Sequence, residues 1–323
     1  MKDTLRWAYA LNQWNPRMDV FVRHEEQLRA FRTVSVLGFE HIELSSGTGR
    51  WDNLGRPEAI LLNHGSSEGF TAFLRRGSLA GVSSMFWDPG QPAEEEGWEF
   101  RTPLDPSHHD GIVEAARPFI RFLADIGAEQ LVVRPVGSAW MTGLLDDGAI
   151  GLVASLWNRV GQEAREAGIG LAAHYDCLSG IHTRAQLETF LGAADPALVG
   201  LALDTAEFAI AGIDPVAFLR DHGDRVSHVH LKDTRYADTG EEFLAPAAEM
   251  TMLRGGAGRR IERWFYELGT EGGLVDVEGF VTELRAQDYR GWVVVESDHG
   301  SNPSELAMLN SWFIQHELGV ARV

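Results

Sequence analysis

The 323-residue chain contains one cysteine, Cys177, so no internal disulfide can form and stability must come from packing. Basic residues are few: 28 Lys and Arg stand against 47 Asp and Glu, a formal net charge of −19 with His neutral. Neither Lys nor Arg gathers into a basic run. Without one, a polyanion finds little affinity, which argues against nucleic acid and against an anionic membrane surface. No stretch reaches 18 consecutive apolar residues, so no transmembrane helix is expected. The opening MKDTLRWAYALNQW lacks the unbroken apolar segment of a secretory signal, and the expected location is cytoplasmic. Internal repeats and low-complexity tracts are absent. What remains is a globular composition, 44% hydrophobic and 10% aromatic, sufficient for a sizeable core.

Eight short apolar runs recur along the chain: Arg6 to Leu11, Phe39 to Leu44, Leu79 to Met85, Gln130 to Val133, Ile169 to Ala173, Val199 to Leu203, Val226 to Leu231 and Trp292 to Val295. Between them lie segments with apolar residues three and four apart, the period of an amphipathic helix. They include His24 to Leu37, Gly111 to Ile126, Ala149 to Ala167, Thr183 to Leu191, Val216 to Asp221, Val277 to Ala286 and Ser304 to Glu317. Gly38, Gly127, Gly168 and Gly291 each stand just before a strand, where a glycine can end the preceding helix. Eight alternations of near-continuous apolar strand and helix predict a parallel sheet covered by helices. The expected fold is α/β, one (β/α)8 barrel domain over residues 1–323. An open doubly wound sheet is the alternative, but no GxGxxG follows the first strand. The connections Trp87 to Ser107 and Thr234 to Arg260 are longer than a barrel needs, as lids and interaction surfaces often are.

In such a barrel chemistry gathers at the C-terminal ends of the strands. Those ends carry Asn12, Gln13 and Trp14; Glu43; Trp87 and Asp88; Arg134; His174 and Asp176; Asp204 and Glu207; His230, Lys232 and Asp233; Glu296, Asp298 and His299. His174, Asp204, His230 and Glu296 come from four consecutive strands and form a mixed N/O set suited to a divalent ion such as Mn²⁺. Asp204 alone could equally be a helix N-cap. In HVHLKD, His230 and Lys232 are expected inside the barrel and His228 toward the helices. Glu296, ending VVV, calls for a metal or a charged partner, because an unpaired buried carboxylate is costly. Cys177 reads as a small buried hydrophobe. Glu43 and Arg134 are expected either to bind substrate hydroxyls or to pair with each other.

LALDTAEFAIAGIDP, followed by RVSHVHLKD and later GWVVVES, resembles the xylose-isomerase-like barrel superfamily of sugar isomerases, epimerases and inosose dehydratases. The resemblance covers nearly the whole chain. It implies metal ligation by Asp204, His230 and Glu296, and it puts His174, in LAAHYD, where the family commonly has a Glu. Asp176 stands in the place of a family His, and Glu207 in the place of the His of DTGH. With no Glu on strand five, the two-glutamate proton shuttle of ketose epimerases is not expected. A His-rich fifth strand is similar to inosose dehydratases. LNQW, GTGRW and VSSMFWDP also resemble the large subunit of C-glycoside deglycosidases, which cleave 3-oxo-glycosides of polyphenols with a small β-rich partner. Of ten tryptophans, Trp14, Trp51, Trp87 and Trp140 fall at or beyond strand ends, where indoles can stack on an aromatic aglycone or simply cap the barrel.

The expected activity is that of a metal-dependent lyase of carbohydrate metabolism. A proton is taken from the carbon next to a ketone of a cyclic keto-sugar and the β-substituent is expelled. C-deglycosylation of 3-oxo-C-glycosides is the first reading, inosose dehydration the second, sugar isomerisation or epimerisation the third. His174 or Asp176 is the expected base, and Asp176 if His174 is a ligand; Lys232 is expected to neutralise oxyanion charge. Trp14, Glu43, Trp51, Trp87, Arg134 and Glu207 are the expected substrate contacts. A nuclease of the endonuclease IV type, which shares this barrel, needs a basic groove that −19 denies it. A non-catalytic sugar-binding subunit would keep the fold without turnover. Apolar residues in the long connections (Trp98, Phe100, Phe243, Met250, Met252, Leu253) are expected to be exposed, pointing to a small second subunit or a homo-oligomer.

Overall fold

The structure is a computed structural model and describes residues 5–14, 24–46, 52–89, 101–245, 264–297 and 302–320. Eight parallel strands close into a barrel in sequence order. They are β1 Arg6–Ala10, β2 His41–Ser46, β3 Gly81–Trp87, β4 Gln130–Val133, β5 Gly170–His174, β6 Gly200–Asp204, β7 Val226–Leu231 and β8 Trp292–Val295. β8 pairs with β1, Arg6 to Trp292 through Tyr9 to Val295, and leaves no free edge. β2 and β3 begin two residues later than the apolar runs suggested. Phe39 and Leu79 still belong to the preceding turns, their N–H groups donating to Val34 O and Leu74 O.

Helices stand where the periodicity placed them, among them His24–Val36, His109–Ile126, Asp147–Glu166, Arg184–Ala193, Pro215–His222, Val277–Ala286 and Pro303–His316. Their starts follow from side chains that satisfy open N–H groups: Asp146 accepts from Ala149 N, and Thr183 with Gln186 forms a reciprocal capping box. Helices also fill the connection between β2 and β3, at Pro57–His64 and Ser67–Arg76, the one connection for which the periodicity named no segment. Gly291 is not a helix terminator. The helix Val277–Ala286 ends with Asp288 at φ 54°, and Gly291 serves close packing: a Cβ there would meet Ser227 O at 2.5 Å.

Apolar burial divides in two. The main core lies between strands and helices and includes Trp157, Phe31, Phe122, Leu203 and Val293. Two smaller clusters line the inside of the barrel, Ala8 with Ala10, Trp292 and Val294, and Val132 with Ala172 and Ala202. Alanines on β1, β5 and β6 leave interior room that larger polar side chains from the other strands occupy. Register slips by one residue at two places, between Ile42 and Glu43 on β2 against β3 and between Leu201 and Ala202 on β6 against β7. No helix among the described residues is long and apolar enough to cross a membrane.

Candidate functional site

Strand alternation sends every second residue inward, and on four neighbouring strands the last inward residue is a metal-type donor. His174 closes β5 and Asp204 closes β6; His230 sits in register with Asp204, and Glu296 follows β8. His174 Nε2 lies 3.3 Å from Asp204 Oδ2. His230 Nδ1 faces Glu296 Oε2 at 3.4 Å and Asp204 Oδ2 at 3.8 Å. Lys232 Nζ stands 2.9 Å from Asp204 Oδ2 and 3.1 Å from Glu296 Oε2, under the ring of Phe265 at 4.0 Å. Asn12 donates to the other oxygen of Glu296. All five charged or imidazole groups are buried.

Asp204 is both of the things its sequence position allowed. Its Oδ1 accepts from the N–H groups of Ala206 and Glu207, both at 3.0 Å, capping the helix Thr205–Ile210, while Oδ2 turns to His174 and Lys232. Burial works to raise its pKa, but Lys232 and the two histidines outweigh that and hold it below the usual carboxylate range. Burial lowers His174. Burial also works downward on His230, yet the Glu43, Glu296 and Asp204 carboxylates prevail and lift it to about 9. Nδ1 of His174 and Nδ1 of His230 are buried without a hydrogen-bond partner, a costly state for isolated imidazoles. His174, Asp204 and His230 each offer a donor atom within 4.8 Å of the others. Two imidazoles and a carboxylate that close together, with the Glu296 carboxylate beside His230 and Lys232, fit a divalent cation.

Four expectations are corrected. His228 does not point to the helices: residues two apart share a strand face, and both histidines turn inward onto Glu43. His228 Nε2 lies 2.9 Å from Glu43 Oε2 and His230 Nε2 2.8 Å from Oε1. Glu43, 2% exposed, therefore neither pairs with Arg134 nor presents its carboxylate to a ligand at the mouth. Ser84 Oγ donates to it at 2.7 Å; burial would raise its pKa, and the two histidines bring it well below the usual range instead. Trp87 faces outward, stacked on Phe119 at 5.0 Å and edge-on to Trp157, so it belongs to the helix layer. Phe243 is likewise not exposed: it stacks on His182 at 3.7 Å.

Arg134 is buried between Asp176, 2.5 Å from its Nε, and Asp88, 3.2 Å from Nη1. Glu207 is buried beside them, accepting from Cys177 N at 3.0 Å, and burial together with Asp176 and Asp204 raises its pKa to about 8. Burial likewise pushes the Cys177 thiol well up, as befits an inert thiol. Trp14 packs edge-on against Tyr9, and Trp140 is 40% exposed on the rim. Trp51, Trp98, Phe100, Met250, Met252, Leu253, Asp298 and His299 lie outside the described residues. Sequence reasoning missed Phe86, whose ring meets His174 edge-on at 5.3 Å, and Phe265 over Lys232. Phe86 had a signal, its alternation with Ser84 and Asp88; Phe265 arrives from a distant connection and had none.

Sequence relatives include an inosose dehydratase 2 of Bacillus cereus, 29% identical over 64% of this chain and 72% of that protein. Another is an inosose dehydratase of Lacticaseibacillus casei, 27% identical over 58% and 64%. Similar solved structures include the probable 3-DHS dehydratase AsbF of Bacillus anthracis, with TM-score 0.70 and 13% identity over 97% of this chain and 99% of that one. A D-allulose 3-epimerase from Methylomonas sp. superposes with TM-score 0.68 at 18% identity, covering 96% and 97%. At such identities the structures speak for the fold alone. A model of the xylose isomerase-like TIM barrel family matches residues 31–313, most of the chain, and the chain belongs to that family.

Proposed function

We propose that this chain, acting as one barrel domain, is a metal-dependent dehydratase of a cyclic keto-polyol of the inosose type. The observation that carries the reading is the convergence of His174, Asp204, His230 and Glu296 around Lys232 at the strand ends. Its relatives' activity supports it. Those four residues would hold the ion, Mn²⁺ being suited to an N/O set. A bound divalent cation supplies Lewis-acid polarisation of the ketone.

The rest is done by protein groups. The C–H bond next to the ketone breaks and its proton passes to a base; Asp176, a carboxylate anchored by Arg134, fills that role when His174 serves as a ligand. Lys232 offsets the negative charge that develops on the substrate oxygen. As the C=C bond forms, the β C–O bond breaks, and the departing hydroxide leaves as water on receiving a proton. Glu207, kept protonated near neutral pH by burial and its acidic neighbours, carries such a proton.

C-deglycosylation would use the same proton abstraction with an aryl carbon as leaving group. It draws on an indole platform at the mouth, and Trp87, turned to the helices, does not contribute to one. With inosose dehydratases among its relatives, dehydration leads. Purified protein supplied with Mn²⁺ is assayed side by side on an inosose and on a 3-oxo-C-glucoside. Loss of water from the inosose is the expected result, with the unoxidised polyol inert. Release of the aglycone alone would shift the reading to deglycosylation, and inertness toward both by the metal-loaded protein would overturn it.

A further inference from the structure

Beneath the proposed ligand set, inside the barrel, lies a second group of buried polar residues that the chemistry above does not use: Glu43 on β2, Ser84 on β3 and His228 on β7. They form one connected arrangement. Ser84 is the register partner of Glu43 and donates to its Oε2 at 2.7 Å; His228 Nε2 reaches the same oxygen at 2.9 Å. The remaining oxygen, Oε1, lies 2.8 Å from His230 Nε2, in a contact oblique to the ideal N–H direction. His228 Nδ1 is buried without a partner, which marks His228 as the neutral ring whose proton sits on Nε2.

We infer that Glu43 is a positioning residue that holds His230 in the Nε2–H form and so turns its unprotonated Nδ1 toward Asp204 and Glu296. The inference rests on the metal reading above and deepens it. An imidazole binds a cation through a nitrogen that carries no proton, and the partner of the other nitrogen decides which one that is. Here the decision is lodged on the far side of the barrel, in a carboxylate whose second oxygen is already engaged by Ser84 and His228. Those two donors keep Glu43 from rotating. The His230 ring on β7 is thus oriented by three residues, on β2, β3 and β7 itself, none of which belongs to the set that would hold the cation.

Glu43→Gln keeps the size but puts an amide where a carboxylate accepted. Competition of Mn²⁺ with a fluorescent chelator should show the variant binding about 10- to 100-fold more weakly, with the circular dichroism of a folded barrel. Long-range ¹H–¹⁵N spectra of the metal-free wild type, taken at alkaline pH where the His230 ring is neutral and with its signal assigned by its loss in His230→Gln, should show the Nε2–H form, and Glu43→Gln should show a mixture. Ser84→Ala, which leaves the carboxylate in place, should weaken Mn²⁺ only severalfold and serves if Glu43→Gln does not fold. Wild-type affinity in folded Glu43→Gln, or in Ser84→Ala should it stand alone, overturns the inference. So does a wild-type His230 protonated on Nδ1. A wild type that binds no Mn²⁺ defeats the metal reading instead, and its tautomer spectrum still decides what Glu43 does.

Discussion

Asp204 shows how one side chain can serve the fold and the site at once. Oδ1 caps a helix and Oδ2 faces the converging donors, so the two duties separate by substitution. Asparagine can cap as well as aspartate but brings no charge. Asp204→Asn should therefore keep the cap, worth about 1 kcal/mol, and lose stability only through the broken Lys232 pair, while losing most of its Mn²⁺ by elemental analysis; Asp204→Ala should lose the cap as well and melt lower still. Glu207 separates by pH. Its folded pKa, about 8, lies above the ordinary carboxylate range. Between those values the folded state holds a proton that the unfolded state has released, so Glu207 makes the metal-free protein less stable as pH rises through that window. Glu207→Gln removes the dependence. Its Tm relative to the wild type should rise from pH 5 to pH 8, and a difference that stays flat would show that Glu207 is not held protonated.

At the scale of the strand, the slip between β6 and β7 sets where the histidines fall. Leu201 pairs with Val226 and Ala202 with His228, so Ser227 is the extra residue of a bulge, the device by which sheets re-aim side chains beside functional sites. Ser227 has glycine on both sides. A Cβ on Gly200 would meet its Oγ at 2.2 Å, and one on Gly291 its carbonyl oxygen at 2.5 Å. Gly200→Ala and Gly291→Ala should each destabilise by about 1–3 kcal/mol through overpacking, a fall of several degrees in Tm, and both should weaken Mn²⁺ by shifting the strand that bears His228 and His230. The strands themselves were legible because apolar runs bounded by helical periods recur eight times, and strand ends picked out His174, Asp204, His230 and Glu296. The inward turn of His230 and Lys232 was legible too; His228 was expected on the opposite face, although the two-residue period puts it with them. The pairing of Glu43 with the two histidines was not, because nothing local says which residues of β2 and β7 meet across a barrel. Trp87 deceived by position: a large apolar residue at a strand end reads as a rim residue until the outer helices, with Phe119 and Trp157, are in place.

Across the whole molecule, the first and last strands of the barrel close on each other. β1 pairs with β8, Asn12 donates to Glu296, and Asn310 on the last helix accepts from Leu268 N at 2.8 Å while donating to Ser297 Oγ at 2.7 Å and to Tyr9 Oη at 3.3 Å. Leu268 lies three residues beyond Phe265, the ring over Lys232, so Asn310 also anchors the segment that covers the ammonium. Asn310→Ala strands a buried N–H and should cost about 1–3 kcal/mol, seen as a lower midpoint in urea. The closing pair of strands bears on how the protein is made. Glu296 leaves the ribosome roughly 15–60 s after Asn12, and through that interval β1 has an open edge on the side that β8 will fill. Arg6, paired with Glu129 on the barrel floor, puts a charge on that edge, a known deterrent to wrong strand pairing. A nascent chain therefore exposes β1 while the six strands between are made and gains the Glu296 carboxylate only as β8 emerges, a span in which chaperones have reason to attend it.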